Sequence, residues 1–173
     1  VFVTVPDDAI ESVVTDLSWS ADHGVVHCSG YRTLDCLKAA VAEGAMVASF
    51  HPLQTFPTAI PSMTRLQGIG FAVTGNSDLV NWLQQIIISF EGIKLAISDD
   101  SRSIYHASAV MACGYVVTAL QHSLKIWERL DVSNEMALAA LMPLMRATLD
   151  NVQEYGVNVA ATGPIVRGDI NTI

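Results

Sequence analysis

Short apolar runs alternate with helix-forming stretches over the first fifty residues. Two helices are predicted there, over residues 6–17 and 33–43. Thr33 is the candidate N-cap of the second. Between them lie runs with the length and apolar content of strands buried on both faces. These runs are VFVTV (1–5), GVVHC (24–28) and AMVASF (45–50). The alternation predicts right-handed crossovers and a parallel sheet.

Two further strands are predicted later in the chain. GFAVTG (70–75) and IKLAIS (93–98) are again short, apolar and bounded by turn residues. Between them, Asn76 or Ser77 is placed to cap a helix that runs to about Phe90. We therefore expect the sheet to continue past the first three strands.

From Asp99 onward the pattern is helical only. Residues 100–130 predict one long and mostly apolar helix. A second helix is predicted from Ser133 or Asn134 to about Tyr155, with Pro143 inside it as a kink. The strands have thus given way to helices in the last third of the chain.

The predicted fold class is α/β followed by all-α. Residues 1–98 would form the second half of a Rossmann-type parallel sheet, and residues 99–173 a partial helical C-terminal domain. No glycine-rich GxGxxG loop occurs in the sequence. Because the chain also opens inside a strand-like run, we expect it to be an internal piece of a longer protein or the product of an incomplete gene model.

Polar residues follow each of the three predicted parallel strands at the point where it ends. Ligands of open parallel sheets bind beyond these carboxyl ends, so the residues are candidates for one site. One histidine there often only caps backbone groups, but two at equivalent ends, beside hydroxyl and amide side chains, favour a ligand site. The three segments are Val5-Pro6-Asp7, His27-Cys28-Ser29-Gly30 and His51-Pro52-Leu53-Gln54-Thr55.

Proline explains the end of the third strand. Pro52 has no N–H to donate to a ladder, so strand pairing is predicted to stop at His51. The topology then directs His51 into the crevice where ligands collect.

Three other polar residues are weaker candidates. His106 lies in the first turns of the long helix, where a buried core histidine and a site residue are about equally good interpretations. Asn151 shares a helix face with Thr148, and a structural role is favoured for both. Arg167 lies in the turn-like segment TGPIVRGD (162–169), where it either pairs with Asp169 or holds an anionic group.

Composition excludes several classes of protein. The formal net charge is -8 and the pI about 4.8, which argues against nucleic acid and against an anionic membrane surface. Apolar residues make up 51% of the chain and charged residues 15%, enough for a core and a subunit interface. The three cysteines have no metal-ligand or disulfide spacing, so we expect no metal and a cytoplasmic protein.

One apolar stretch could be either a membrane span or a buried helix. Residues 103–124 contain no Asp, Glu, Lys or Arg and are long enough to span a bilayer. They do contain His106, Gln121 and His122, and charged residues adjoin the stretch. We therefore predict a buried helix of a soluble protein and keep the membrane span as the alternative.

Taken together, these motifs resemble the Rossmann-like oxidoreductases whose helical second half is domain of unknown function 2520. The segments occur in the order of the family and cover nearly the whole chain. They are HCSG (27–30), SFHPLQTF (49–56), GFAVTG (70–75), YHASAV (105–110), PLMRATLDN (143–151) and TGPIVRGD (162–169).

The resemblance implies a nucleotide-binding domain followed by a helical domain like that of 6-phosphogluconate dehydrogenase, with dimerisation through the helices. It also implies that the first βαβ unit, with its glycine loop, and the last helices are absent from this chain. The family pattern leads us to expect Asn near position 114, where this chain has Cys113-Gly114. A similar His-Pro segment in prephenate dehydrogenase makes His51 the expected general acid/base.

These inferences predict an NADP- or NAD-dependent oxidoreductase that acts on a small-molecule substrate, with an anionic group as one option. The expected catalytic residues are His51, His106 and Ser29. The alternative is a nucleotide-binding regulatory or scaffold protein without chemistry, because fold does not guarantee catalysis. The expected cofactor-binding residues are Val5, Pro6, His27, Ser29 and Gly30. The expected substrate-binding residues are Gln54, Thr55, Asn151 and Arg167.

Overall fold

A computed structural model describes residues 1–58 and 63–171 of the chain. The chain divides into two compact units, Val1–Tyr115 and Val116–Ile173, and the division falls inside the long helix. The first unit contains the whole β-sheet, and the second is helical.

In the described part of the first unit, the strands form a five-stranded sheet in sequential order. All neighbouring pairs are parallel except β3 and β4, which are antiparallel. The sheet confirms the predicted α/β class. Its strands are β1 (Phe2–Val3), β2 (Gly24–His27), β3 (Met46–Pro52), β4 (Gly70–Gly75) and β5 (Ile93–Ala96).

The antiparallel pair was not predicted, and the connection explains it. Parallel neighbours need a crossover, usually a helix, between them. Among the described residues, the link from β3 to β4 contains only a short 3₁₀ turn, Met63–Leu66. The chain therefore returns alongside β3, with Phe50 opposite Val73 and Pro52 opposite Phe71.

The prediction that pairing stops at His51 was wrong, because β3 runs through Pro52. Successive residues of a strand direct their N–H groups to opposite sides. The Leu53 N–H donates to the Gly70 carbonyl on the β4 side at 2.8 Å, so position 52 faces the β2 side. β2 has already ended at His27, and the missing N–H of Pro52 interrupts no ladder.

Helices cover both faces of the sheet. On one face, α1 (Ile10–Asp16) and α2 (Lys38–Ala42) pack against Val3 and Val25. On the other, α3 (Ser77–Ser89) buries Leu83 and Ile87 against aromatic residues of the strands. As predicted, Asn76 caps α3, by accepting the Asp78 N–H at 3.1 Å. Burial on two faces accounts for the continuous apolar runs of β2 and β3.

The predicted Thr33 cap was wrong in its mechanism. Thr33 precedes the 3₁₀ turn Leu34–Leu37, but its side chain makes no capping hydrogen bond. Both carboxylate oxygens of Asp99 instead accept the Leu34 N–H at 3.0 Å. Asp99, which is 65 residues away in the sequence, thus supplies the capping acceptor that the local sequence assigned to Thr33.

Long helices dominate the rest of the chain. α4 (Arg102–Trp127) belongs to both units, and α5 (Asn134–Tyr155) to the second. As predicted, Ser133 caps α5, by accepting the Met136 N–H at 3.3 Å, and Pro143 lies inside α5. Two single-turn helices follow, α6 (Val157–Ala160) and α7 (Pro164–Arg167).

The prediction that residues 103–124 form a buried helix was wrong for this chain. The helical segment Asp99–Leu130 is long and apolar enough to cross a membrane, with a mean hydropathy of 1.3 in its most apolar window. None of that window is buried within the chain. Length and composition alone are weak evidence for a membrane span, because core helices of soluble proteins have the same properties.

Candidate active site

Three side chains converge in the first unit, where β3 ends and α4 begins. His51 is near the end of β3, and Tyr105 and His106 are in the first turns of α4. His51 Nδ1 lies 2.8 Å from the Tyr105 hydroxyl oxygen, within hydrogen-bonding distance. The His51 and His106 rings are 6.0 Å apart at their centroids, in an edge-on arrangement. The structure therefore brings two of the predicted catalytic residues together and adds a tyrosine.

Gly30 fits closely against both imidazoles. A Cβ built on Gly30 would lie 2.5 Å from His106 Nδ1 and 2.8 Å from His51 Nε2. Real Cβ atoms essentially never approach so closely, so any side chain at position 30 would displace the rings. Glycine is needed here for close approach, as in sites where backbone must meet a ligand or ring.

A buried arginine joins the elements that carry these rings. Arg102, the first residue of α4, is fully buried. Its guanidinium donates to the Ser49 hydroxyl of β3 at 2.6 Å and to the Ser29 carbonyl after β2. Because Tyr105 and His106 follow on the same helix, these bonds hold α4 in register with the strand ends.

Burial and positive charge keep two histidines neutral. Burial, the neighbouring His106 and the Arg102 guanidinium lower the pKa of His51 to about 4. Burial and Arg102 lower the pKa of His27 to about 4 as well. Asp7 opposes both shifts without reversing them. At neutral pH, His51 is therefore a neutral imidazole, with one nitrogen that donates and one that accepts.

The hydroxyl of Ser29 is engaged in shaping its own turn. It donates to an Asp7 carboxylate oxygen at 2.7 Å. It also accepts the N–H groups of Tyr31 at 3.1 Å and Arg32 at 2.9 Å. These bonds join the turn after β2 to the turn after β1. They also leave Gly30 in place under the histidine rings.

A cavity of about 540 Å³ opens beside the histidines. Its lining comes from His51 and Leu53–Thr55 at the end of β3, and from α4 between His106 and Gly114. The volume is within the range of small-molecule sites. The predicted substrate residues Gln54 and Thr55 both line it, although the Gln54 amide also bonds the Arg65 carbonyl at 3.3 Å.

The remaining predicted site residues do not line this cavity. Val5 is half-buried and Pro6 exposed, at the turn after β1. His27 is fully buried, and neither of its ring nitrogens has a hydrogen-bond partner within the described part of the chain. Asn151 on α5 and Arg167 on α7 are exposed residues of the second unit.

Sequence reasoning missed Tyr105 and Arg102 as members of the site. Both were visible: Tyr105 immediately precedes His106, and Arg102 stands at the start of an otherwise apolar helix. A charged residue at such a helix end is usually solvated, so only the tertiary contacts with Ser49 and Ser29 reveal the role of Arg102.

The comparisons with known proteins agree with this architecture. Residues 69–173 match the family described as a domain of unknown function, DUF2520. The chain belongs to the DUF2520 family. No curated protein sequence matches the chain.

Solved structures extend the likeness to the sheet. Protein TM1727 from Thermotoga maritima superposes with a TM-score of 0.78 at 27% identity, over 98% of this chain and 65% of that one. A candidate NADP oxidoreductase, BF3122 from Bacteroides fragilis, has a TM-score of 0.75 at 20% identity, over 99% of this chain and 64% of that one. The DUF2520 chain thus spans less than two thirds of either protein.

A reductive aminase from Aspergillus terreus shares the fold at lower similarity. Its TM-score is 0.64 at 16% identity, over 88% of this chain and 54% of that one. That enzyme was solved in complex with NADPH and ethyl-5-oxohexanoate. Together with the sheet and helices described above, these likenesses confirm a Rossmann-like α/β fold of the kind found in nicotinamide-dependent oxidoreductases.

Proposed function

We propose that the protein is an NAD(P)-dependent oxidoreductase that transfers a hydride to or from a small substrate. One observation carries the proposal: a neutral His51 paired with Tyr105 borders a cavity at the carboxyl end of β3. Histidine is the side chain that most often transfers a proton in general acid–base catalysis, and a carbonyl or imine that gains a hydride also needs a proton. The names of the solved relatives favour NADP over NAD.

The residues present fit the nicotinamide end of such a cofactor. Val5 and Pro6 lie at the turn after β1, and the close approach at Gly30 leaves backbone beside the histidines. No GxGxxG occurs in this chain, so it supplies no such loop for the pyrophosphate. When bound, a nicotinamide cofactor donates or accepts the hydride.

His51 and Tyr105 account for the proton. Burial raises the pKa of Tyr105, so its hydroxyl keeps its proton and can donate to His51 Nδ1. The Nε2 of His51 then carries the single ring proton of the neutral imidazole, on the side of Gly30 and His106. In a reduction the carbonyl or imine carbon gains the hydride, and its heteroatom takes the proton from Nε2. As Nε2 gives up its proton, the Tyr105 hydroxyl donates its own proton to Nδ1. Solvent then protonates Nε2 and the Nδ1 proton returns to Tyr105, so the pair is restored and one proton is taken up from solvent.

The test separates turnover from binding. His51→Gln keeps a hydrogen-bonding side chain but cannot relay a proton, so turnover should fall by roughly 100-fold or more. Binding of NADPH and of reduced nicotinamide mononucleotide, followed by fluorescence, should change less than about twofold. His122→Gln, at an exposed position of α4, is the matched control.

Two outcomes would overturn the proposal. Unchanged turnover in His51→Gln would remove its proton role. Tight nicotinamide binding without oxidation of the reduced cofactor by any ketone, aldehyde or imine would favour the non-catalytic nucleotide-binding protein instead.

We propose further that the protein is a cytoplasmic homodimer assembled through its helices. The support is a set of apolar side chains on α4 and α5 that are more than half exposed in the single chain. Apolar side chains exposed in this number usually mark an interaction surface. A second copy of the chain presents the same apolar residues and can pack against them in a symmetric dimer. The residues are Met111, Tyr115, Val117, Ile126, Met136, Leu144, Leu149 and Tyr155.

A further inference from the structure

The walls of the cavity beside His51 are apolar, small or uncharged. Leu53 forms one side, and α4 contributes Ala109, Val110 and Ala112. The polar groups of the wall are hydroxyl, amide and thiol groups. Among the described residues, no Lys, Arg, Asp or Glu lines the cavity.

Hydrogen-bonding capacity is concentrated at the end where the histidines meet. His106 Nδ1 is buried and has no hydrogen-bond partner within the described part of the chain. His51 Nε2 lies on the same side, against Gly30. This end can therefore donate to, or accept from, one polar atom of a ligand.

The nearest buried cation is committed elsewhere. The Arg102 guanidinium donates to Ser49 and to the Ser29 carbonyl, and it does not line the cavity. A carboxylate or phosphate entering the cavity would lose hydration without an ion-pair partner in the lining. The exposed Arg65 guanidinium lies outside the lining and already donates to the Thr55 carbonyl at 3.4 Å. The net charge of -8 adds repulsion at longer range.

We propose that this cavity binds an uncharged carbonyl compound or imine with an apolar alkyl or ring body. The C=O or C=N group lies at His51 and His106, and the apolar body lies along Leu53 and the small residues of α4. The proposal rests on the proposed oxidoreductase function for its choice of a reducible group. An uncharged ligand differs from the anionic substrate that the sequence left as one option.

Cys113 makes the proposal testable without turnover. It lines the cavity and is exposed, whereas Cys36 is buried. Burial also raises the pKa of Cys28 to about 11, which leaves little of its reactive thiolate. Iodoacetamide should therefore label Cys113 first, and a ligand in the cavity should slow that labelling. Peptide mass spectrometry follows each cysteine, and constant labelling of Cys28 and Cys36 reports that the protein stays folded.

The probes are methyl ketones from 2-pentanone to 2-octanone, with 7-oxooctanoate as the anionic analogue. Each added methylene should strengthen protection about fourfold until the cavity is full. The keto acid should protect at least tenfold more weakly than 2-octanone. Equal or better protection by the keto acid, or no protection by any ketone, would overturn the proposal. Protection requires no cofactor, so an absence of hydride transfer would count against the proposed function alone.

A substitution in the wall should reverse the preference. Leu53→Arg places a cation in the lining at a residue that is 39% exposed. It should weaken protection by 2-octanone and strengthen protection by 7-oxooctanoate, each about tenfold. Val41→Arg, at an exposed site on α2 outside the cavity, should change neither. The same response in both variants would show that overall charge, and not the cavity, sets the preference.

Discussion

The two units of this protein bury different things. The sheet unit encloses apolar clusters on both faces and also buries polar groups, including His27, Ser49 and Arg102. In the described part of the helical unit, only Ala137 and Ala160 are buried apolar residues. The first unit therefore contains the apolar core and the candidate active site, whereas the helices leave apolar side chains exposed for a partner to cover.

The largest effect on the sheet unit is expected from removing its buried arginine. Arg102→Ala leaves the Ser29 carbonyl and the Ser49 hydroxyl without their donor and opens a void, so unfolding should become easier by about 3 kcal/mol. Urea denaturation measures the change.

Two variants control the arginine experiment. Arg129→Ala, at an exposed residue of the second unit, should shift stability by less than about 0.5 kcal/mol. Arg102→Lys should fall between Arg102→Ala and the wild type, because lysine keeps a charge but lacks the fork that reaches two acceptors. Equal midpoints for all these proteins would show that Arg102 does not hold the unit together.

Acid should weaken the sheet unit through its buried histidines. Above pH 6.5, His27 is neutral in both the folded and the unfolded chain. As the pH falls from 6.5 to 4, the unfolded chain gains a proton that the folded chain resists, so the free energy of unfolding declines. For His27 the loss is at most about 3 kcal/mol, and His51 acts in the same direction.

Urea titrations at a series of pH values test this dependence. His27→Phe should flatten it, and His122→Phe, at an exposed position, should leave it as in the wild type. A dependence unchanged by His27→Phe would mean that other groups control acid unfolding.

The helical surface provides the next test. Leu144→Asp places a charge on an exposed apolar position of α5, so it should weaken self-association by about 2 kcal/mol, or roughly 30-fold in Kd. Sedimentation velocity measures the association. Leu17→Asp, an exposed leucine of the sheet unit, is the control and should associate like the wild type. A protein that is monomeric before any substitution would remove the dimer proposal.

The smallest effect is expected at Tyr105. Tyr105→Phe removes one hydrogen bond to His51 and should cost about 1 kcal/mol of stability. It should also shift the imidazole NMR signals of His51. Tyr115→Phe, at an exposed residue further along the same helix, should do neither. Identical His51 spectra in both variants would mean that the Tyr105 contact does not orient the ring.

Local rules predicted most elements of the fold. β4, the Asn76 and Ser133 caps and the helix containing Pro143 lie as expected, because short-range apolar spacing and capping chemistry determine them. Two of the expectations that failed did so because distant residues decide the outcome. Asp99 performs the task assigned to Thr33, and the missing N–H at Pro52 costs nothing because β2 has already ended.

By itself, the sequence determined the strand and helix segments, the family, and His51 as a candidate at a strand end. Those features depend on side-chain periodicity and on residue order, which are local. Only the tertiary structure decided that Tyr105 and Gly30 meet the histidines and that Arg102 joins the elements that carry them. The hydrogen bonds of Tyr105 and Arg102 join segments more than fifty residues apart, and no local pattern encodes which buried donor will face which acceptor. The same long-range packing neutralises His51 and leaves an uncharged cavity beside it.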